Sequence, residues 1–445
     1  MGAPNEKDRT VTPVSGLKRS PLLPIFLIVL ADVFGMTLVI PLLAIYAEHF
    51  GATPLDATLL VSTYAVCQLV SGPLLGQVSD RIGRKPMLLV SQIGTFLGFL
   101  LLARASALWM VYLSRVIDGA TAGNLALAQA YISDNTDKSN RAKSFALIGI
   151  AFGVGFFVGP SVTAFLAGYG LAAPVHLASA LSLTSILCTA FLLPGGAPPA
   201  MPSAPAAADV SAAPAGRRVS PFALATFSGY FRRPVLGGLF AQFFCFSFAF
   251  ATFTSGFALF AERRFSWHGH PFGVREIGVV FAYSGLLGII IQGGLVGRLV
   301  RRFGEPALAV AGFSSMAVAY ATLASSGAIG WLVVASTFAA FGNGITRPVL
   351  TSLITQAAGR HEQGVVIGLN QSLMSVAQIC APLLAGTLIG TGRLGLWAAM
   401  AALASLAGVV MSRWGSGKVN DAGEGPRDAP RQAARLEPTQ KDRQP

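Results

Sequence analysis

The sequence predicts an all-α membrane protein of twelve transmembrane helices, arranged as two pseudo-symmetric bundles of six. Three observations support this fold class: a very apolar composition, twelve apolar runs of about the length of a membrane span, and an internal repeat. The chain has 445 residues, of which 53% are hydrophobic and only 11% are charged, and its mean hydropathy is +0.62. Soluble domains carry roughly a quarter charged residues, so water cannot be the solvent for most of this chain.

The apolar runs give the number and order of the helices. A bilayer core about 30 Å thick needs about 20 apolar residues in a helix, and short polar or Gly- and Pro-containing breaks separate such runs. The predicted spans are 22–46, 57–79, 86–104, 107–131, 143–167, 172–193, 235–260, 275–297, 305–325, 329–352, 364–389 and 394–413. The first run is longer than the apolar core of a secretory signal peptide, so we expect it to be retained.

A linker and two polar tails divide the chain. Residues 195–216 are dominated by Pro, Ala, Gly and Ser and separate six spans from six, which indicates a flexible tether. The predicted organisation is a cytoplasmic N-terminal tail (1–21), a first six-helix bundle (22–194), a cytoplasmic linker (195–234), a second six-helix bundle (235–414) and a disordered cytoplasmic tail (415–445).

An internal repeat supports the division into two halves. Two glycines and one arginine recur at the same spacing 221 residues later. They are Gly76, Arg81 and Gly83 in the first half and Gly297, Arg302 and Gly304 in the second. Pro160 and Pro382 form a further pair, 222 residues apart. Two segments with nearly the same offset predict a duplicated six-helix unit.

The net charge of +13 is better explained by membrane orientation than by nucleic-acid binding. Most of the 32 Lys and Arg residues lie in segments that become cytoplasmic when both termini are inside. The outer loops then hold Arg104, Arg263, Arg264, Arg275 and Arg393. This positive-inside bias predicts a multi-pass protein of an inner or plasma membrane with both termini cytoplasmic and no nucleic-acid partner.

The cysteines and the motif content argue against several functional classes. Cys67, Cys188, Cys245 and Cys380 lie in predicted spans without paired spacing, so we interpret them as packing residues. The sequence carries no nucleotide-binding loop, metal cluster or arrangement of nucleophile and base. We therefore expect no enzyme activity, no cofactor and no bound metal, and we expect a monomer in the lipid bilayer.

The loop between the second and third spans carries the most specific motif. It reads Gly76-Gln-Val-Ser-Asp80-Arg81-Ile-Gly83-Arg84-Lys85. The glycines permit a tight reversal, and the cations anchor the loop on the inner face. A simple positive-inside turn would explain the cations, but not an acid and two glycines at this spacing.

Charged residues also lie inside the spans. Arg115 and Asp118 in the fourth span are three residues apart, which allows a neutralising pair that is either a static salt bridge or part of a coupling device. Asp32 is a lone acid in the first span. Burial favours the neutral carboxyl group that a reversible proton carrier needs, although a packing role is the alternative. Arg347 in the tenth span is either an anion or substrate contact or a structural residue.

The remaining candidates are small, amide and aromatic residues within the spans. The fifth span contains Gly149, Gly153, Gly155, Gly159 and Pro160, and small residues four apart allow helices to approach closely. Polar groups among aromatic residues suit a largely apolar substrate cavity, or they act as interhelical hydrogen bonds. The candidate cavity residues are Gln68, Asn124, Gln242, Phe246, Gln292, Asn343, Arg347 and Asn370.

Several of these segments together resemble the tetracycline-efflux branch of the drug:proton antiporters in the major facilitator superfamily. They are 60–134, the glycine-containing segment that begins at Arg141, 261–267 and 342–348. The resemblance covers most of residues 22–413 and implies the major facilitator fold. Three positions depart from that branch: Gly98, Gly288 and Met316 stand where its members carry an acid, a histidine and an acid. Tetracycline itself is therefore not the expected substrate.

The resemblance also implies roles for the motifs. Asp80 would lie near the N-terminus of a helix in the other half, where the helix dipole favours an anion. Arg84 and Asp134 would complete this cytoplasmic gate, within the loop shaped by Gly76, Arg81 and Gly83. Asp32, Arg115 and Asp118 would take part in proton coupling, and the fifth-span glycines would form an antiporter motif.

Three functions fit these features. The first is proton-coupled efflux of small, mostly apolar or drug-like molecules by alternating access, with protons and a small molecule as partners. The second is a proton-independent facilitator or importer of an endogenous metabolite, for which Asp32 would not be essential. The third is a non-transporting receptor or scaffold, since a fold alone does not establish function; such a protein would need neither the gate residues nor Asp32.

Overall fold

The computed structural model describes residues 22–135, 138–193, 224–325, 327–358 and 362–423. The first half contains α1 (Leu22–His49), α2 (Pro54–Ile82), α3 (Arg84–Ala103), α4 (Leu108–Ala120), α5 (Asn124–Asn135), α6 (Lys138–Leu166), a 3₁₀ turn (Ala167–Tyr169) and α7 (Ala173–Leu192).

The second half begins after α8 (Leu224–Phe231). It contains α9 (Pro234–Arg264), β1 (Ser266–Trp267), β2 (His270–Pro271), α10 (Val274–Ile290), a π-helical segment (Ile291–Leu295), α11 (Val296–Phe303), α12 (Glu305–Ser325), α13 (Ile329–Ala357), α14 (Gln363–Gly390) and α15 (Leu394–Gly423). The two short strands form an antiparallel hairpin between α9 and α10.

Eleven helices in the described part of the chain are long and apolar enough to cross a membrane. The predicted span 107–131 is instead split into α4 and α5, and neither piece alone has the length of a span. The predicted fourth span therefore consists of two helices with a break at residues 121–123 rather than of one helix. Ser91 of α3 satisfies the backbone at the break, because its hydroxyl donates to the carbonyl of Thr121 and accepts from the Gly123 N–H at 3.0 Å. A broken helix is tolerated at membrane depth when protein groups take up its freed hydrogen bonds.

Glycine turns define the two ends of the bundle. Gly83 and Gly304, with φ of 108° and 77°, end α2 and α11, and we call their side of the molecule the Gly83 end. Gly51, Gly170 and Gly392 have φ of 80°, 127° and 72° and lie at the opposite side, the Gly51 end. A positive φ in this range costs glycine little and strains other residues, so chain reversals at both ends depend on these glycines.

The two halves pack tightly from the middle of the bundle to the Gly51 end. A Cβ added to Gly278 of α10 would lie 2.8 Å from both the Ala164 Cβ and the Pro160 carbonyl oxygen of α6. At the second interface between the halves, the Ser62 hydroxyl of α2 donates to the Ile379 carbonyl of α14 at 2.9 Å. Close helix contacts of this kind require small residues, so the Gly51 end is closed.

Several glycines toward the Gly83 end are not packed against a neighbouring helix. A Cβ added to Gly72 or Gly76 of α2, to Gly288 of α10, or to Gly368 of α14 would meet nothing within 4 Å. Between α6 and α10, Gly153 faces Ile289, and an added Cβ would lie 3.5 Å from the Ile289 side chain. We interpret this arrangement as a cavity that opens at the Gly83 end.

Two segments that were predicted to be a linker and a tail contain helical residues. α8 occupies part of the predicted linker 195–234, and α15 continues to Gly423, beyond the predicted start of the tail at 415. Residues 1–21, 194–223 and 424–445 lie outside the described residues, so the proposed tether and tails stay predictions.

Candidate functional site

A hydrogen-bonded chain of side chains surrounds Asp32 on α1. The Ser185 hydroxyl of α7 donates to the Asp32 Oδ1 at 3.1 Å, and the Gln92 Nε2 of α3 donates to the same hydroxyl at 2.8 Å. Asp32 is half-buried. Side chains from α1, α3 and α7 thus form one hydrogen-bonded chain that ends at this carboxyl group. The sequence analysis did not identify Ser185 or Gln92, because serines and glutamines within spans carry no distinguishing signal.

Arg115 and Asp118 form the pair that their spacing on α4 allows. The Arg115 Nη1 lies 3.2 Å from the Asp118 Oδ2, and the two side chains are only 7% and 9% exposed. The Arg115 guanidinium also lies 5.8 Å from the centroid of the Phe99 ring. Asp118 is close enough to Asp32 to repel its negative charge, so the ion pair and the lone acid belong to one electrostatic cluster.

Tyr64 and Asn124 complete this polar cluster of the first half. Tyr64 of α2 interacts electrostatically with Asp118, Arg115 and Asp32, and Gln68 donates to its hydroxyl at 3.1 Å. Asn124 interacts with the Asp32 carboxyl group and is the first residue of α5. The break between α4 and α5 therefore places a polar side chain against Asp32.

The candidate gate loop forms an ion pair within the first half. The Arg84 Nη1 lies 2.6 Å from the Asp80 Oδ1, and the Asp80 side chain is 61% exposed. Lys85 ties the loop to the end of α7, since its Nζ donates to the carbonyls of Ala190 at 2.9 Å and Leu193 at 2.7 Å. The salt bridges found among the described residues do not join Asp80 to the second half. The latch with the second half therefore stays a prediction.

Three further members of the proposed gate are Asp134, Arg81 and Gly83. The side chain of Asp134 lies outside the described part of the structure, so its place in the gate stays a prediction. Arg81 is exposed, and Gly83 supplies the positive φ of the turn.

The glycines of α6 act as contact surfaces. Gly155 packs against Val33 of α1, where an added Cβ would be 2.6 Å from the Val33 Cγ1, and the Thr37 hydroxyl of α1 donates to the Gly155 carbonyl at 2.9 Å. Gly159 packs against the same Thr37. Because α6 contacts α1 through one face and α10 of the other half through another, it is placed to transmit a movement between them. Gly149 lies in α6, and its surroundings are not described.

A cavity lies between the halves, lined by α6 of the first half and by α9, α10, α13 and α14 of the second. Its volume is about 170 Å³. The lining residues include Phe152, Gly153, Phe156, Phe246, Phe250, Phe253, Phe281, Gly285, Gly288, Gln292, Asn343, Arg347, Met374 and Gln378. Four of the predicted cavity residues, Phe246, Gln292, Asn343 and Arg347, line it.

The other four predicted cavity residues lie elsewhere. Gln242 is 4% exposed and its Oε1 accepts from the Ser412 hydroxyl of α15 at 2.8 Å, so it joins α9 to α15 and its assignment to the cavity was wrong. Gln68 and Asn124 belong with the polar cluster of the first half. Asn370 is buried on α14 and is not among the residues that line the cavity.

Arg347 is the basic residue of this cavity. Its guanidinium lies 5.8 Å from the centroid of the Phe152 ring, so a cation–π contact spans the two halves. Gln292 lies in the π-helical segment, a feature often found at functional sites. The sequence analysis did not assign Phe152, Phe250 or Gln378 to the cavity, although the aromatic run in α9 was a usable signal.

The three departures from the resembling branch have different structural settings. Gly98 of α3 faces α4, and an added Cβ would lie 3.1 Å from the Asp118 Cβ and from the Ser114 carbonyl. Gly288 lines the cavity and has open space around it. Met316 is fully buried and packs against Gly342 of α13. These sites therefore provide a close helix contact, cavity space and a packing contact, respectively.

The His, Cys, Asp and Glu side chains of the described residues are dispersed. No group of three or more His, Cys, Asp or Glu side chains there could hold a metal ion, and the four cysteines are free. His268 and His270 lie exposed at the hairpin after α9.

Comparison with known proteins gives a consistent result. The family model described as Major Facilitator Superfamily matches residues 25–382 and 293–440. Tetracycline resistance protein, class B, from Escherichia coli is 30% identical over 80% of this chain and 85% of its own length. Multidrug resistance protein 2 from Bacillus subtilis is 27% identical over 82% of this chain and 88% of its own length.

Solved structures share the fold at lower identity. The human organic anion transporter MFSD10 (TETRAN) has a TM-score of 0.66 and 23% identity, over 88% of this chain and 98% of the other. The nucleoside transporter NupG has a TM-score of 0.71 and 12% identity, over 89% and 99%. The relatives and fold neighbours are transporters rather than enzymes.

Proposed function

Because the chain belongs to the Major Facilitator Superfamily, we propose that it exports small, mostly apolar molecules from the cytoplasm in exchange for protons. The comparisons confirm the fold class, the resemblance to tetracycline-efflux proteins and the role as a membrane transporter of small molecules rather than an enzyme. The coupling ion, the direction and the class of substrate are our proposal.

The observation that supports the proposal is the presence of two separate sites in the same molecule. A largely aromatic cavity lies between the halves, while a half-buried acid with a neighbouring ion pair lies in the first half. The bundle is open at the Gly83 end and closed at the Gly51 end. A substrate site at the interface of two halves that rock against each other suits alternating access.

Asp32 is the proposed proton carrier. Ionised, it accepts a hydrogen bond from Ser185, interacts with Asn124 and repels the Asp118 carboxylate. Protonation removes that repulsion and leaves Asp118 paired with Arg115. Since the two protonation states differ in their interactions with α4 and α7, proton binding shifts the equilibrium between conformations.

The gate loop supplies the closing contact for the Gly83 end. In the open conformation Asp80 pairs with Arg84 and is well exposed, so its carboxylate is available to a partner in the second half. We propose that closure brings Asp80 to the N-terminal end of a second-half helix, where the dipole favours an anion, with Arg84 and Asp134 beside it.

The direction follows from the proposed orientation in an inner or plasma membrane. With both termini in the cytoplasm, the Gly83 end faces the cytoplasm, and the cavity is loaded from that side. The packed contacts between halves lie within one chain, so a monomer is sufficient for the cycle.

One observation favours the alternative of a proton-independent facilitator. Gly288 and Met316 stand in the second half where the resembling branch carries titratable groups, so proton relay through that half is not available at those positions. In this alternative Asp32 is a structural hydrogen-bond acceptor, and net flux follows the substrate gradient alone.

Transport by the purified full-length protein in proteoliposomes would test the proposal. We expect an imposed pH gradient to drive uphill accumulation of some members of a panel of apolar small molecules, and to have no effect in protein-free vesicles. Uphill accumulation that ignores the gradient would contradict antiport. Substrate-dependent exchange without any accumulation would favour the facilitator.

A further inference from the structure

We propose that Arg347 binds an anionic group of the substrate, so that the transported molecule is an aromatic or largely apolar monoanion. This inference rests on the proposed transport function and names the substrate class of the same cavity. An anionic substrate would make one specific charge contact with Arg347 that a cationic or neutral substrate could not make.

The first argument is that Arg347 has no counter-ion among the described residues. The salt bridges found among the described residues engage Arg84, Arg115, Arg233 and Arg263, and none engages Arg347. The residues that line the cavity include no Asp, Glu or His. A charged side chain at membrane depth is expensive and is normally paired or functional. In the open conformation, water entering at the Gly83 end can solvate the guanidinium.

The second argument concerns closure. When the Gly83 end closes, water is excluded and a cation at this depth becomes more costly. A carboxylate or similar anion on the substrate neutralises it, and the planar guanidinium can hold such a group through two parallel hydrogen bonds. An anionic substrate would therefore lower the free energy of the closed state more than a neutral one, as coupling between binding and conformational change requires.

The third argument is the remainder of the cavity wall. Phe246, Phe250 and Phe253 of α9 and Phe281 of α10 present aromatic rings, while Gln292 and Gln378 add amide groups. Such a wall accommodates an apolar or aromatic body with few polar substituents.

The position of Arg347 also explains how one charge could act on both halves. It lies on α13 of the second half, and its guanidinium contacts the Phe152 ring on α6 of the first. A bound anion would hold the guanidinium at the interface between halves. Binding and closure are then linked through one side chain.

Binding of three matched probes to the full-length protein in nanodiscs tests the charge requirement. The probes are 2-naphthoate, 2-naphthamide and 2-naphthylmethylammonium, which share a ring system and differ in charge. We expect 2-naphthoate to bind at least tenfold more tightly than the other two. Arg347→Gln should abolish the difference, and Arg347→Lys should keep part of it. Arg393→Gln, which removes an exposed charge at the Gly51 end, serves as the control and should behave as the wild type.

The outcomes separate this inference from the proposed function. Equal affinity for the three probes, no binding of 2-naphthoate, or an unchanged preference in a monodisperse Arg347→Gln variant would overturn the anion site. Should Arg347→Gln fail to fold, a reduced preference in a folded Arg347→Lys would support the site, and a preference equal to that of the wild type would count against it. Gradient-driven uptake of the neutral or cationic probe without any preference for the anion would overturn the anion site while the transport proposal stands. Transport of none of the probes and none of the wider panel would overturn the transport proposal.

Discussion

The Arg263 Nη2 lies 2.6 Å from the Glu48 Oε1 and joins the two halves of the transporter at the Gly51 end. Glu48 is close to the end of α1, and Arg263 is close to the end of α9. Glu262 lies beside them and interacts with Glu48. The side chains of Arg263 and Glu48 are 32% and 19% exposed, so this ion pair is accessible and can break when the Gly51 end opens.

Loss of this ion pair should favour opening at the Gly51 end. We expect Glu48→Gln or Arg263→Gln to increase the population that is open there, because the closed state loses an interaction worth about 1 kcal/mol or less, a change of up to about fivefold. Spin labels at Ser106 and His270, which are both exposed, in a background without native cysteines, would report the distance between halves. The charge-swapped double variant, Glu48→Arg with Arg263→Glu, should restore the wild-type distribution, and an unchanged distribution in both single variants would argue against a gate at this contact.

Removal of the gate charges should stop transport without unfolding the protein. Asp80 and Arg84 lie at the turn between α2 and α3 and pair with each other, so we expect Asp80→Asn or Arg84→Ala to leave the packed halves intact. We expect transport to fall by at least tenfold in either variant, at wild-type levels of membrane insertion. The measurement is initial transport rate per inserted molecule, with Arg393→Gln as control. Wild-type turnover would remove Asp80 from the gate.

Neutralising Asp32 should uncouple transport from the proton gradient. Asn at this position keeps the size and one hydrogen-bond acceptor for Ser185 but cannot bind or release a proton. We therefore expect Asp32→Asn to keep substrate binding and downhill exchange and to lose accumulation driven by the pH gradient. Proteoliposome counterflow and gradient-driven uptake separate these activities. Gradient-driven uptake with the wild-type pH dependence would place the carrier elsewhere.

Introducing the side chains of the resembling branch should affect thermal stability differently at two glycines. At Gly98 a Cβ would lie 3.1 Å from α4, and overpacking of this kind costs about 1–3 kcal/mol. We expect Gly98→Asp to lower the thermal stability of the protein in detergent, and Gly288→His, which enters open cavity space, to leave it nearly unchanged. Equal unfolding temperatures for the two variants would contradict this account of Gly98.

The proposed orientation can be tested with single cysteines at Ala206 and Ala422. In a background without native cysteines, we expect neither to react with an impermeant thiol reagent added outside intact cells, since both segments should be cytoplasmic. Reaction after the membrane is opened provides the positive control. Labelling of either position in intact cells would reverse the topology and, with it, the proposed direction of loading.

Much of the site could be recognised in the sequence because membrane spans contain few charges. Arg115, Asp118 and Arg347 were visible as costly residues at membrane depth, and the pairing of the first two followed from spacing on one helix. Gln242 was misplaced because periodicity does not show which neighbour a helix face meets. It faces α15, where the Ser412 hydroxyl donates a hydrogen bond to the Gln242 Oε1.

The sequence by itself determined that this chain crosses a membrane many times and consists of two related halves, because span length and apolar composition are local properties dictated by the bilayer. Only the tertiary structure decided which polar groups meet. Ser185 reaches Asp32 across 153 residues of sequence, and Arg263 reaches Glu48 across 215. Such pairings depend on how helices rotate and pack against one another, and no local pattern of residues encodes that rotation.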